Sequence, residues 1–484
     1  MSNSNPLPFD FNRKAREEMV HEGFQPDFPA QVTQEVNSDK AAPTQNGVRR
    51  DLRNLLWSSI DNNQSRDLDQ VEWAERLPNG NIRVLVGIAD VDAVVTANSA
   101  TNAHARANAT SVYTGGPVFP MLPERLSTDL TSLSQDADRR AIVMEFVVSA
   151  DGDVVCADHC AALLRNKAKL NYDQVAAWLA GASSSAPPAD LRDQLFLQQE
   201  ASQRLKRFRT ERGALTLGGV ESVPLVVNNS VHGFDIVRGS PARDIIESFM
   251  IAANVAMAQF LRAHNFLCLR RIVRTPKRWD RIQAIAAAAG TKLPDAPDAK
   301  ALSEFLLARK QADPDRFPEL SLAVLKSLGP GEYVVEHPGG EHEGHFGLAV
   351  QDYTHSTAPN RRYADLVMQR LLKAALDKVP CPFSEAELSE VAAHCTERES
   401  AARHVERFMK KVAAAIMLGP QIGKTFDAIV TGVSPKGTYA RLLSVPAEGR
   451  VVHGEKGLDV GQKTRVQLIS VDPQRGFIDL TVAA

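Results

Sequence analysis

The stretch SIDNNQSRDLDQVEW, residues 59–73, places Asp61, Asp67 and Asp69 within nine residues. Their spacing follows neither the period of a helix nor a strict strand alternation. Three carboxylates held this close repel one another, so a folded site needs a bound cation or raised pKa values to keep them together. Oxygen ligands at short spacing suit Mg²⁺. Taken alone, such a cluster is more often an acidic surface loop, and the segments that follow it decide between the two interpretations.

Three long segments downstream favour the site over the surface loop. In chain order they are VGIADVDAVV (86–95), ATSVYTGGPVFPMLPERLSTDLTSL (109–133) and HFGLAVQDYTHSTAPNRRYADLVMQRLL (345–372). Together with the acidic cluster they resemble the catalytic domain of the ribonuclease II/R family, also called the RNB domain. The resemblance runs from about Arg49 to Leu418, which is most of the chain.

Hydrophobic periodicity predicts the regular elements within this region. Apolar runs rich in β-branched residues at 82–95 and 139–149 predict strands, whereas helical spacing predicts a helix over 242–265. A long helix without internal proline or glycine is predicted from Glu385 to Leu418, and Gly419-Pro420 ends it.

The sequence pattern changes after that helix. Residues 422–484 contain five short alternating segments separated by turn residues, which is typical of a small closed barrel such as an OB-fold. The predicted fold class is α+β, with a large RNB-type mixed α/β catalytic domain over 49–418. A five-stranded OB-fold RNA-binding domain of the S-one type is predicted over 421–484. Fewer than 50 residues precede the first motif, so residues 1–48 are interpreted as a short lead-in with one helix and no cold-shock domain.

The resemblance implies a metal site built on the acidic motif. The family has four aspartates here, of which Asp61, Asp67 and Asp69 match the first three. The fourth position is Gln70 in this chain. The resemblance implies that Asp61, Asp67, Asp69 and Gln70 bind Mg²⁺, and that Asp69 is also the key catalytic carboxylate. Gln70 offers only a neutral amide oxygen, so the lost charge is expected to weaken Mg²⁺ binding or to shift the ion.

The other catalytic residues follow from the same resemblance. Tyr113 matches a tyrosine that helps to hold the terminal nucleotide, and Glu406 matches a glutamate near the active centre. Arg361 matches the arginine expected to neutralise charge on the scissile phosphate. Proline at a first helical position is favourable, so Pro359 is predicted to put Arg361 and Arg362 in the first turn of a helix.

Residues that contact RNA away from the chemistry are less well defined by the sequence. Phe266 falls where the family has a base-stacking phenylalanine, although a phenylalanine after an apolar helix is normally a core residue. Arg362 is interpreted as an RNA-binding residue, with an ion pair to Asp365 as the alternative. Tyr439 is a candidate stacking residue of the C-terminal barrel, where some aromatic side chains must instead be core.

Composition restricts the function classes. The net charge is −2, so the chain as a whole is not strongly basic, but residues 201–215 carry five Arg/Lys against one acid. The five cysteines are scattered and odd in number, which favours a reducing compartment over a disulfide framework. Neither a secretory signal nor a membrane segment is predicted, so the expectation is a cytoplasmic monomer without an obligate protein partner.

The resemblance implies a Mg²⁺-dependent hydrolytic 3′→5′ exoribonuclease. Such an enzyme degrades single-stranded RNA without sequence preference and releases nucleoside 5′-monophosphates. Two alternatives remain open. Gln70 is compatible with a catalytically weakened RNB-like protein that only binds RNA. The acidic cluster is also compatible with a metal-dependent phosphodiesterase acting on DNA or on a small nucleotide, which the C-terminal barrel and the basic stretches disfavour.

Overall fold

The computed structural model describes residues 9–38, 48–182, 186–218, 221–314, 316–340, 343–435 and 437–483. Within these ranges the helices are α1 (Phe11–His21), α2 (Ala30–Ser38), α3 (Ala100–Asn108), α4 (Tyr172–Leu179), α5 (Arg192–Glu211), α6 (Pro241–Ala263), α7 (Trp279–Ala288), α8 (Ala299–Ala312), α9 (Phe317–Leu328), α10 (Tyr363–Asp377) and α11 (Glu385–Leu418). The fold is mixed α and β, as predicted.

The strands of the main body are β1 (Arg50–Asp51), β2 (Ser58–Asp61), β3 (Gln70–Arg76), β4 (Ile82–Ala89), β5 (Val112–Tyr113), β6 (Val118–Phe119), β7 (Asp138–Val148), β8 (Val154–Arg165), β9 (Ala168–Asn171), β10 (Glu221–Val227), β11 (Ser230–Val237), β12 (Cys268–Ile272) and β13 (Glu332–Glu336). Seven of them form one sheet in the order β1-β8-β7-β4-β3-β2-β9. The outer pairs β1–β8 and β2–β9 are parallel, and the pairs between them are antiparallel.

The central strand β4 is buried along almost its whole length, which explains its continuous apolar sequence. Helix α6 packs across β4, β7 and β8 and contributes Ile245, Phe249 and Met257 to the main core. By length and hydropathy α6 is also the one described helix that could cross a membrane. Two thirds of its apolar window is buried inside the fold, as is typical of a core helix.

Helix α11 has the predicted bounds. Ser384 and Glu387 form a reciprocal capping box at its start, which satisfies backbone groups of the first turn. The chain beyond it forms β14 (Thr425–Ser434), β15 (Gly437–Leu442), β16 (Glu448–His453), β17 (Lys463–Asp472) and β18 (Phe477–Val482). These close into a barrel in the order β14-β15-β16-β18-β17, so the predicted five-stranded barrel is confirmed.

Two local features differ from the sequence-based expectation. The lead-in, described over 9–38 and at residue 48, contains the two helices α1 and α2, where the sequence predicted one. Helix α2 was missed because it has only nine residues and a weak hydrophobic pattern. The hairpin β10–β11 was not predicted. Its strands leave Val223, Leu225 and Val227 exposed, so they lack the clear inward-facing alternation that marks a strand in sequence.

The segment 351–362 carries functional candidates and is fixed to the fold by a buried arginine. Arg270, in β12, is 1% exposed and lies 2.8 Å from Glu336 and 3.1 Å from Asp352. The backbone of Arg271 bonds to Tyr353, and Asn254 of α6 accepts a bond from the Ser356 backbone at 2.7 Å. The segment is therefore held from β12 on one side and from α6 on the other.

Replacing Arg270 by methionine should destabilise the protein strongly. The variant removes the cation shared by Glu336 and Asp352 inside the fold, and breaking a buried ion pair on one side typically costs about 3–5 kcal/mol. The free energy of unfolding, measured by urea denaturation, gives the cost. Arg262→Met is the matched control, because Arg262 reaches the same Asp352 from a side chain that is 41% exposed. A loss for Arg270→Met no larger than the control's would contradict the structural role of the buried ion pair.

Candidate active site

A cavity of ≈ 830 Å³, its open mouth included, lies where the acidic motif meets α6 and the segment 351–362. Asp61, Asp67, Asp69, Gln70, Tyr113 and Arg361, all singled out from the sequence, line it. The remaining lining residues are Asn62, Ser65, Tyr172, Arg243, Ile246, Met250 and Thr357. The fold thus brings six of the predicted site residues into one space.

The acidic residues lie on the connection between two neighbouring strands. Asp61 is the last residue of β2 and Gln70 the first of β3. Between them Leu68 is buried, and its backbone nitrogen donates to the hydroxyl of Ser132 at 3.1 Å. The Asp69 carbonyl accepts a bond from Ala89 at 2.9 Å, which fixes the entry to the sheet. The irregular spacing of the three aspartates therefore reflects a loop that is anchored at both ends.

Asp69 is the most enclosed of the three aspartates, with 3% of its surface exposed. Burial raises its pKa to about 7, and the nearby charge of Asp67 adds to that effect. Arg361 opposes it, because the guanidinium Nε lies 3.5 Å from a carboxylate oxygen of Asp69. Burial also raises the pKa of Asp67, where Asp61 contributes in the same direction. The repulsion expected from the sequence is present in the fold.

Asn360 holds the Asp69 carboxylate in place. Its side-chain amide donates to Asp69 Oδ1 at 2.9 Å, and its backbone nitrogen donates to the same oxygen at 3.3 Å. The hydroxyl of Thr131 in turn donates to the Asn360 side-chain oxygen at 2.6 Å. The sequence pattern indicated no role for Asn360. Its role becomes visible only when residues 69 and 360 are seen side by side.

The prediction that Pro359 puts two arginines in the first turn of a helix is wrong. Residues 359–361 form a turn, and α10 begins at Tyr363. Arg362 is extended, with φ −139° and ψ 123°, because it pairs with Thr110 as an isolated β-bridge. This pairing holds the segment away from the helix and directs Arg361 into the cavity.

Arg362 serves the fold in this structure. Its guanidinium donates to Asp365 Oδ1 at 2.7 Å, and the same oxygen accepts the backbone N–H of Ala358 at 2.7 Å. Asp365 is fully buried, so the pair closes the turn around Pro359. This is the structural alternative considered from the sequence, and Arg362 does not line the cavity.

Tyr113 lies at the cavity wall with 42% of its surface exposed. Restricted access of solvent to its hydroxyl raises the pKa to about 12, so the side chain is neutral at physiological pH. Glu406, on α11, accepts the backbone N–H of Tyr113 at 3.1 Å. The structure thus places Glu406 behind Tyr113, where it positions the short strand β5 instead of lining the cavity.

Two of the lining residues that were missed in the sequence carry an aromatic ring or a positive charge. Tyr172 begins α4, and burial raises the pKa of its hydroxyl. The guanidinium of Arg243, on α6, lies 4.2 Å from the centre of the Tyr172 ring and donates to Asn62 at 3.3 Å. Arg243 lies outside the basic stretch noted in the sequence, in a helix predicted only from its apolar spacing, and a tyrosine at a helix start gave no signal for Tyr172.

Two of the predicted RNA-binding aromatic residues lie outside the cavity. Phe266 is half-buried and packs against the main core. Tyr439 is half-buried on β15 of the barrel. Their contact with RNA stays a prediction.

The donor set of the cavity fits a hard divalent cation. Asp61, Asp67 and Asp69 supply carboxylate oxygens and Gln70 an amide oxygen, and oxygen donors are the ligands that Mg²⁺ prefers. A bound cation would offset the repulsion that raises the pKa of Asp67 and Asp69.

Comparison with known families agrees with this arrangement. The model of the RNB domain matches residues 49–378. The chain belongs to the RNB-domain family. A second model, the C-terminal S1 domain of RNase II-type exonucleases, matches residues 424–483, which are the barrel of this RNB protein.

Several RNB relatives are similar over most of this chain. Ribonuclease R 1 of Lactococcus lactis is 31% identical over 94% of this chain and 59% of its own length. Ribonuclease R of Thermotoga maritima is 29% identical over 88% of this chain and 61% of its own length. The chain therefore spans about three-fifths of these relatives. The structure of Mycoplasma genitalium RNase R with ribose-methylated single-stranded RNA has the same fold, with a TM-score of 0.88 at 24% identity, over 98% of this chain and 78% of that one.

The crowded carboxylates predict that Asp69→Asn stabilises the RNB fold when divalent cations are removed. The pKa of Asp69 is about 7 in the folded state, above its value in the unfolded chain. The free energy of unfolding of wild type therefore falls as the pH rises from the unfolded-state pKa toward pH 7. The variant lacks this loss, and at pH 8 its free energy of unfolding should be higher by about 1–3 kcal/mol.

Urea denaturation with a chelator, at pH 5 and at pH 8, measures this difference. The gain should be larger at pH 8. Asp295→Asn, at an exposed position, serves as the control for a simple loss of charge. Equal stability of wild type and Asp69→Asn at both pH values would show that the carboxylates are not strained in the folded state.

Proposed function

We propose that this RNB protein is a Mg²⁺-dependent hydrolytic 3′→5′ exoribonuclease that degrades single-stranded RNA without sequence preference and releases nucleoside 5′-monophosphates. The observation that carries the proposal is the juxtaposition of Asp61, Asp67 and Asp69 with Arg361 in one cavity. Membership of the RNB-domain family and the names of the relatives support the same activity.

The cavity residues divide the proposed chemistry between them. Asp61, Asp67, Asp69 and Gln70 would hold Mg²⁺, which when bound supplies positive charge that stabilises the phosphorane-like transition state. Asp69 orients the attacking water and accepts its proton. Arg361 stabilises the charge that develops on the phosphate oxygens. Asn360 keeps the Asp69 carboxylate at a fixed angle to the phosphate through its 2.9 Å hydrogen bond.

Substrate binding would rest on groups that do not recognise base identity. Tyr113 and Tyr172 offer ring faces on the cavity wall, and stacking on an aromatic ring tolerates any base. Arg243 and Arg361 offer charge to phosphates, which carries no sequence information. Asp69, on which cleavage depends, is buried, so a chain terminus would enter the cavity first. The 3′ direction of cleavage rests on the resemblance to the ribonuclease II/R family.

One assay separates this function from its alternatives. 5′-labelled single-stranded RNA and DNA of the same sequence are incubated with the protein and Mg²⁺, and the products are resolved on a gel. A ladder shortening from the 3′ end of the RNA alone is the expected result. Equal degradation of DNA would indicate a general phosphodiesterase. RNA binding without cleavage at any Mg²⁺ concentration would indicate the catalytically weakened RNA-binding protein.

Asp69→Asn should abolish hydrolysis of RNA and leave RNA binding nearly intact. The amide keeps the size and the contact to Asn360 but can neither accept a proton nor attract Mg²⁺ strongly. Single-turnover cleavage and the Kd for a labelled oligonucleotide, measured by fluorescence anisotropy, give the two quantities. Normal turnover in this variant would overturn the assignment of the catalytic carboxylate.

Asn360→Ile should lower kcat with little change in KM. The variant removes a hydrogen bond to a buried carboxylate, and such bonds are typically worth about 1.5–3 kcal/mol, which corresponds to about a 10- to 100-fold loss of rate. Asn360→Ser, whose hydroxyl can still donate, should recover part of the rate. Thr128→Val is the control, since the Thr128 hydroxyl donates to the backbone carbonyl of Glu124, four residues earlier in the chain. A rise in KM without a fall in kcat would assign Asn360 to substrate binding instead.

A further inference from the structure

Glu72 is buried without any evident partner. The residue is 0% exposed, and neither of its carboxylate oxygens has a hydrogen-bond partner among the residues that the structure describes. The residue opposite it on β2 is Ser58, whose hydroxyl is also buried without a partner in the described part of the chain. An unpaired buried carboxylate is costly, so native folds seldom keep one without a function or a bound ion.

The position of Glu72 relates it to the departure at residue 70. Side chains alternate along a strand, so Gln70 and Glu72 point to the same face of β3. Gln70 is the position at which the acidic motif lacks a negative charge, and its side chain lines the cavity. Glu72 offers a carboxyl group two residues further along the same face, on a side chain one methylene longer than that of an aspartate.

The surroundings of Glu72 belong to the same site. Burial raises the pKa of the Glu72 carboxyl well above its usual range, and the charge of Asp61, a lining residue of the cavity, adds to that effect. Glu72 is not itself a lining residue, but it follows the lining residue Gln70 by two positions on the same face of β3.

We propose that Glu72 supplies the fourth carboxylate of the cation site, in place of the acid missing at Gln70. The inference rests on the cation site of the proposed function and deepens it. Asp61, Gln70 and Glu72 would then be the ligands of the ion on the β2–β3 side of the site. A purely structural carboxyl at this position would be expected to be hydrogen-bonded, and neither oxygen of Glu72 makes such a bond among the described residues.

Binding of Mn²⁺ to the full-length protein in the absence of RNA tests this assignment. The free ion is measured by electron paramagnetic resonance, and the rise in melting temperature with Mn²⁺ gives a second readout that does not depend on activity. Glu72→Gln, which is nearly isosteric, should weaken Mn²⁺ binding by about tenfold or more. The double variant Gln70→Asp/Glu72→Gln returns the charge to residue 70 and should recover most of the affinity.

Two controls keep the outcomes distinct. Glu75→Gln changes the exposed glutamate of the same strand and should bind Mn²⁺ as wild type does. Glu72→Asp keeps the carboxyl group but shortens the side chain and withdraws the group from the site, so it should also weaken Mn²⁺ binding. This variant replaces Glu72→Gln as the test if Glu72→Gln folds poorly. Wild-type affinity in both Glu72 variants, with a loss in Asp61→Asn, would overturn the inference and leave the cation site standing. Unchanged affinity in Asp61→Asn as well would contradict the cation site itself.

Discussion

The contact between Asp69 and Asn360 joins two parts of the chain that are 291 residues apart, and the site exists only where they meet. The acidic motif arrives on the β2–β3 connection, and the arginine arrives on the turn after Pro359. Each part is fixed by its own anchors, the loop by Ser132 and the turn by Asp365. The carboxylate and the guanidinium are therefore brought together by the whole fold, and both anchors are needed before the chemistry is possible.

This dependence explains what the sequence could predict. The long helices, the buried strand β4 and the five-stranded barrel were predictable, because each is encoded in a local periodicity or a local break. The cavity residues Asp61, Asp69 and Arg361 were predictable only through their resemblance to a known motif. Neither route could place Asn360 against Asp69 or Tyr172 beneath Arg243, since both contacts depend on long-range packing. The turn at residues 359–361 was mispredicted for the same reason, because the β-bridge between Thr110 and Arg362 overrides the local preference of proline.

The fold tolerates a concentration of negative charge that would be unfavourable elsewhere. Asp69 and Glu72 are both almost fully buried and lie on the same short stretch of chain. Arg361, whose guanidinium lies 3.5 Å from Asp69, compensates this charge only in part, because Arg361 also faces the cavity. Strain of this kind persists at a site when the surrounding structure determines it strongly and a ligand relieves it. The unfavourable energy of these crowded, buried carboxylates near the β2–β3 connection therefore favours a bound cation.

Helix α11 connects the cavity to the barrel. Its residue Glu406 holds the backbone of Tyr113, and its last turn buries Ala414, Ala415 and Leu418 in the barrel core. The 13 residues from Glu406 to Leu418 span about 18 Å at a rise of about 1.5 Å per residue, without a proline or glycine to bend them. A displacement of the barrel is therefore transmitted to the strand that carries Tyr113. The barrel and the cavity wall at Tyr113 are thus joined by one continuous helix, so RNA that the barrel binds under the proposed function would meet a cavity whose wall this helix supports.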